Sequence, residues 1–98
     1  MLPVFPFFIN PVFAIDPPQD LAVVSESDRS ATLYWSGVAT AEGYNLYRDD
    51  TYFATASGTA TFFSDPIAGS SYYLTSFASD PREYSLKSNR AMLDSNSG

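Results

Sequence analysis

From Ala31 to Tyr47 the chain alternates apolar and polar positions with a period of two. Ala31, Leu33 and Trp35 fall on one side of an extended backbone, and Thr32, Tyr34 and Ser36 on the other. That alternation marks a half-buried β-strand. After a Gly/Ala/Thr-rich link from Gly37 to Gly43, Tyr44 and Leu46 resume the inward step. A single Trp held between two such strands predicts the centre of a small β-sandwich.

The same period recurs on both sides of this pair. Leu21 and Val23 alternate with Ala22 and Val24 in a first strand, and Glu26 to Ser30 forms a polar turn. Arg48-Asp49-Asp50-Thr51 reads as a tight turn, because Asp tolerates the left-handed region and bonds its own backbone. Tyr52 to Ala56 and Thr59 to Ser64 give a fourth and a fifth strand, with Thr61 and Phe63 on one face of the latter. Tyr72 to Ala78 gives the sixth and Ser85 to Met92 the seventh. Asp65 before Pro66 and Asp80 before Pro81 have the form of turn residues. No segment sustains a 3.6-residue period. The pattern predicts an all-β, seven-stranded antiparallel sandwich of immunoglobulin-like type. Its expected core is Leu33, Trp35, Tyr44, Leu46, Phe63, Tyr72 and Leu74.

Three segments follow from this reading: 1–15, the sandwich at 16–93 and a polar tail at 94–98. The first, MLPVFPFFINPVFAI, has no charged side chain. As a secretory leader it ends suitably, with the small Ala14 two residues after Val12, though its positive charge is only the terminal amine. As a retained arm it would lie extended along an edge, since Pro3, Pro6 and Pro11 deny it a continuous ladder. Those prolines and its length exclude a transmembrane helix, which needs about 20 apolar residues.

Composition removes several function classes. The chain has 98 residues, enough for one core, and contains neither Cys nor His. That excludes the common zinc, haem and iron–sulfur ligand sets, and catalysis by Ser-His-Asp or Cys-His. The net charge is −6, with basic residues scattered singly, so no nucleic-acid interface is expected. Asp49 and Asp50 offer oxygen ligands for a hard cation, but adjacent turn carboxylates point apart and turn chemistry accounts for them. No cofactor, metal site or catalytic residue is expected, and the chain reads as a non-enzyme.

The aromatics on the outward faces are the candidate interaction residues. Tyr47, Tyr73 and Phe77, with Tyr52 or Phe53 beside them, should point away from the core on neighbouring strands. They would form either a platform for a sugar ring or a protein partner, or cross-strand pairs that only stabilise the sheet. Phe5, Phe7 and Phe8 of the apolar segment could cover that face, in their own subunit or in the next one by strand addition.

At this point the chain resembles a fibronectin type III domain. The resemblance is carried by Pro17-Pro18 and Leu21 at the entry, Leu33-Tyr34-Trp35, and Gly43-Tyr44-Asn45-Leu46-Tyr47-Arg48-Asp49. It continues through Phe63-Ser64-Asp65, Tyr72-Tyr73-Leu74 to Ala78, and Ser85 to Asn89. It implies that Tyr72 forms the tyrosine corner, with its hydroxyl bonded to upstream backbone. Two positions depart from the family: Asp50 stands where a glycine is usual, and Ser76 where an aliphatic is usual. No Arg-Gly-Asp occurs, so integrin binding does not carry over.

The resemblance implies a non-catalytic module, secreted or at the cell surface, for protein interaction, adhesion or spacing. Two alternatives stay open. One is a self-assembling, filament-type subunit that docks its apolar segment on a neighbour. The other is an accessory domain that stacks carbohydrate on Tyr47 and Tyr73.

Overall fold

A computed structural model of the chain describes residues 15–79 and 82–93. Eight strands run in order: β1 (Gln19–Ser25), β2 (Ala31–Ser36), β3 (Gly43–Arg48), β4 (Thr51–Ser57), β5 (Phe62–Asp65), β6 (Ser71–Ser79), β7 (Arg82–Tyr84) and β8 (Ala91–Met92). They form two antiparallel sheets, and no helix occurs among the described residues. The smaller sheet has the order β1-β2-β5. The larger has the order β4-β3-β6-β7, with β8 also paired to β6.

Between the sheets lie the inward residues of the period-two pattern. Leu33, Tyr44, Leu46, Tyr72 and Leu74 have no solvent exposure, and Trp35 has 4%. Trp35 meets Tyr44 edge to face at 5.5 Å, a geometry that adds to the gain from burial. Phe63 is half-buried and packs against this cluster. The Tyr44 hydroxyl accepts a hydrogen bond from Val38 N at 2.7 Å, which fastens the β2–β3 link to the core.

Three local features depart from a simple alternation. The last strand is broken: Arg82–Tyr84 and Ala91–Met92 are strands, and the residues between them are not. Serine side chains replace part of the ladder there. Ser76 N donates to Ser85 Oγ at 2.8 Å and Leu74 N to Ser88 Oγ at 2.9 Å, while Ser85 N and Ser88 N donate to the carbonyls of Ser76 and Leu74. Asn89 closes the gap to β1, exchanging two 2.9 Å bonds with the backbone N and O of Leu21.

The second departure is a shift of the β3–β4 register between Leu46 and Tyr47. Tyr47 pairs with Tyr52 and Leu46 with Ala54, so Phe53 is an extra residue on β4. A bulge of this kind re-aims the side chains beside it. Phe53 and Ala54 both pack against the core, while Tyr52 stays outside. The third is the β3–β4 turn, where Asp49 and Asp50 both have positive φ, 51° and 68°. Two residues with φ > 0 make the primed turn whose twist suits a hairpin.

Asp65 is corrected by the structure. It is the last residue of β5, paired with Ala31 and 1% exposed, rather than a surface turn residue. The fifth strand also starts later than the alternation predicts, at Phe62. Thr59 lies in a turn in which Ala60 N bonds Ser57 O.

Candidate functional site

The register of the larger sheet decides what its outer face presents. In a strand, i and i+2 share a face, and directly paired residues on neighbouring strands stand side by side. Tyr47 pairs with Tyr52 on β4 and with Tyr73 on β6, which gives one row of three tyrosines across the sheet. Asn45 pairs with Thr55 and Thr75, which gives a polar row beside it. Gly43 pairs with Ser57 and Phe77, and Phe77 with Tyr84, which gives a third row.

The tyrosine row is closely packed. Tyr47 and Tyr73 stack with centroids 4.5 Å apart and planes at 12°. Tyr52 meets Tyr47 edge to face at 5.9 Å. Tyr73 differs from the expectation of an open ring: it lies on the outer side of β6 yet is only 8% exposed. Side chains from the broken last strand cover it, with Lys87 Nζ 4.6 Å and Arg90 Cζ 5.4 Å from its centroid. A cation over an aromatic face is attracted by the ring's quadrupole. Arg90 is held in place by Asp50 Oδ1 at 2.8 Å and Ser71 Oγ at 3.1 Å.

Tyr47 and Phe77 are half-buried, and Tyr52 and Tyr84 are exposed. Phe77 lies down on β3 because position 43 is glycine. A Cβ there would stand 2.5 Å from Phe77 Cζ, closer than any real contact. Phe5, Phe7 and Phe8 lie outside the described residues.

Two side-chain contacts link the hydroxyls of the face: Tyr52 and Thr55 bond through their hydroxyls at 2.6 Å, and Thr55 Oγ1 lies 3.4 Å from Asn45 Oδ1.

The carboxylates expected to sit in turns are used by the fold. Asp49 Oδ1 accepts from Ser70 N at 2.8 Å and Ser71 N at 3.0 Å, tying the β3–β4 turn to the start of β6. Asp65 holds a buried corner that the sequence does not signal. Arg48 Nη1 donates to both its oxygens, at 2.8 and 3.0 Å, and Tyr72 donates to Oδ2 at 2.8 Å. Gly69 N in turn donates to the Tyr72 hydroxyl at 2.7 Å, the upstream backbone bond of a tyrosine corner. Burial, above all, and the Asp65 carboxylate push the Tyr72 hydroxyl up from 10.0 to about 12, against the opposing pull of the Gly69 N–H. The resemblance implied the Tyr72 corner, whereas the pairing of Arg48 with Asp65, 17 residues apart, has no local cue in the sequence.

No protein-family model matches the chain. Over 64 residues, 65% of the chain, it is 39% identical to poly(3-hydroxybutyrate) depolymerase of Ralstonia pickettii. The match spans 13% of that enzyme's length. Among solved structures, an Fn3-like protein from Clostridium thermocellum superposes with a TM-score of 0.68 at 25% identity, covering 83% of this chain and 93% of that one. FN3tt superposes with a TM-score of 0.62 at 20% identity, over 82% of this chain and 95% of that one. The sheet order, the Trp-centred core, the tyrosine corner and these neighbours agree: the chain has the fibronectin type III fold.

Proposed function

We propose that the chain is a non-catalytic binding and spacing module of an exported protein, and that it works through the outer face of its larger sheet. The observation that carries this reading is the alternation of rows on that face. An aromatic row, a hydroxyl-and-amide row and a second aromatic row stand on one face of the sheet. Ring faces and adaptable polar groups on a rigid sheet make a recognition surface. Chemistry needs instead a pair of ionisable groups poised over a cleft. Here Asp49 and Asp65 are committed to turns and to the buried corner, and Asp50 to Arg90. The likeness to a stretch of a depolymerase that spans 13% of that enzyme supports an appended module rather than a reacting domain. That it belongs to an exported protein is the expectation carried by its fibronectin type III fold.

Two measurements test the reading together. The purified chain should hydrolyse a soluble butyrate ester no faster than buffer. In NMR titrations with candidate ligands, shifts should concentrate at Asn45, Tyr47, Tyr52 and Thr55. Hydrolysis abolished by a single substitution would overturn the reading, as would ligand shifts confined to β1, β2 and β5.

A further inference from the structure

The strand order leaves β4 at one end of the larger sheet, paired on one side only, with β3. The pairing decides which of its backbone groups face out. Asp49 N donates to Ser71 O, so at alternate residues along β3, Tyr47 and Asn45 turn their N–H and C=O toward β6. Leu46 and Tyr44 turn theirs toward β4, where they meet Ala54 and Ala56, in phase with the bond from Gly58 N to Glu42 O. Thr55 and Ser57 lie in the other phase and point their backbone groups away from the sheet. Ala60 N takes Ser57 O. Nothing among the described residues bonds the N–H or C=O of Thr55, or the N–H of Ser57.

Edge strands are commonly guarded by charge, by proline or by a bulge. The segment Thr51–Ser57, TYFATAS, has neither charge nor proline. Its one guard is the bulge at Phe53, which leaves Ala54 to Ser57 in regular register. The other edges are shorter or closed. On β1, Asn89 holds both backbone groups of Leu21, while β5 has four residues and β7 three.

We infer that β4 pairs edge to edge with β4 of a second copy of the chain, antiparallel about a two-fold axis at Thr55. Each Thr55 N then donates to the Thr55 carbonyl of the other copy, and the two Thr55 side chains stand side by side on the outer face. A second copy suits this edge because the strand is neutral in a chain of net charge −6. The antiparallel direction also sends the Asp49-Asp50 turns of the two copies to opposite ends, so like charges do not meet. The two Asn45–Thr55 rows become one, and the larger sheets join into a continuous sheet. With one strand per copy, the contact falls below the standard interface of about 1,600 Å², so the dimer is weak and half formed at roughly 0.1–1 mM. None of this depends on what the outer face binds.

Sedimentation of the full chain from about 10 μM to about 2 mM should show a monomer giving way to a dimer and to nothing larger. Over that range, hydrogen exchange at Thr55 N should slow severalfold, with the change confined to β4. Thr55→Pro removes a donor that the β3 ladder does not use, and Thr55→Lys sets two like charges side by side. Both should stay monomeric, with circular dichroism confirming that they are folded; should the proline variant unfold, the lysine variant carries the test. Ser64→Lys, at an exposed position on the β5 edge, should dimerise as the parent does. A monomer throughout, or oligomers beyond the dimer, would overturn the inference. So would a dimer that survives at Thr55→Lys or is lost at Ser64→Lys. Protection of Thr55 N at every concentration in a monomer would mean that residues 1–14 of the same chain take the edge, and would overturn it as well. The ligand titration proposed above is read separately, on monomer at low concentration, so either conclusion can fail alone.

Discussion

Tyr72 and Tyr73 are neighbours in the chain, both mostly hidden from solvent, and lie on opposite faces of β6. Tyr72 points inward, has no exposure, and uses its hydroxyl to join Gly69 N to the Asp65 carboxylate. Tyr73 points outward and is hidden by Tyr47 on one side and by Lys87 and Arg90 above it. The inner ring is closed in by the fold, and its one polar atom must be satisfied there. The outer ring is closed in by two cationic side chains, and among the described residues its hydroxyl makes no bond to the protein. Burial thus means two different things on one strand: inside it fixes architecture, and outside it shapes a surface.

The corner offers the sharpest way to break this comparison. Asp65→Ala would leave the Arg48 guanidinium without its carboxylate and free the Tyr72 hydroxyl and Ile67 N of their acceptor. Loss of about 3 kcal/mol is expected, read as a drop in the urea midpoint. The paired substitutions Tyr72→Phe and Tyr73→Phe come next. The first should cost about 2 kcal/mol, because it orphans Gly69 N and removes one of the two donors to Asp65 Oδ2. The second should cost under ~0.5 kcal/mol. Equal costs would erase the distinction between the two faces.

Alkali should probe the inner ring directly. The folded Tyr72 hydroxyl is raised from 10.0 to about 12, so the folded state resists its ionisation. Its contribution to stability is complete below pH 10 and is lost as pH rises through about 12. A tyrosinate absorbance titration should therefore show a late step that Tyr72→Phe removes. An effect of the opposite sign is expected four residues further along β6 on the inner face. Ser76 is fully buried, and among the described residues its hydroxyl has no hydrogen-bond partner. Ser76→Ala should stabilise the protein by about 1 kcal/mol in the same denaturation assay; destabilisation would show that the hydroxyl has a partner.

Much of this was legible from residue types alone. Inward Leu33, Trp35, Tyr44 and Leu46 follow from alternation, because a one-residue slip would bury the polar set instead. The Asp49-Asp50 turn follows from the tolerance of Asp for positive φ. The place of Tyr52 on the outer face was left open against Phe53, since alternation cannot register the bulge that turns Phe53 and Ala54 both inward. The broken last strand was also hidden. Ser85 and Ser88 read as ordinary strand residues, and only their partners Ser76 and Leu74 reveal them as side-chain substitutes for the ladder.

The sequence by itself determined a Trp-centred β-sandwich, because period-two burial and turn chemistry are local properties of the chain. The tertiary structure alone decided which distant groups meet. Arg48 with Asp65, Asp50 with Arg90 and Lys87 above Tyr73 are pairings across strands and sheets. They depend on register and closure, which no single stretch of residues encodes.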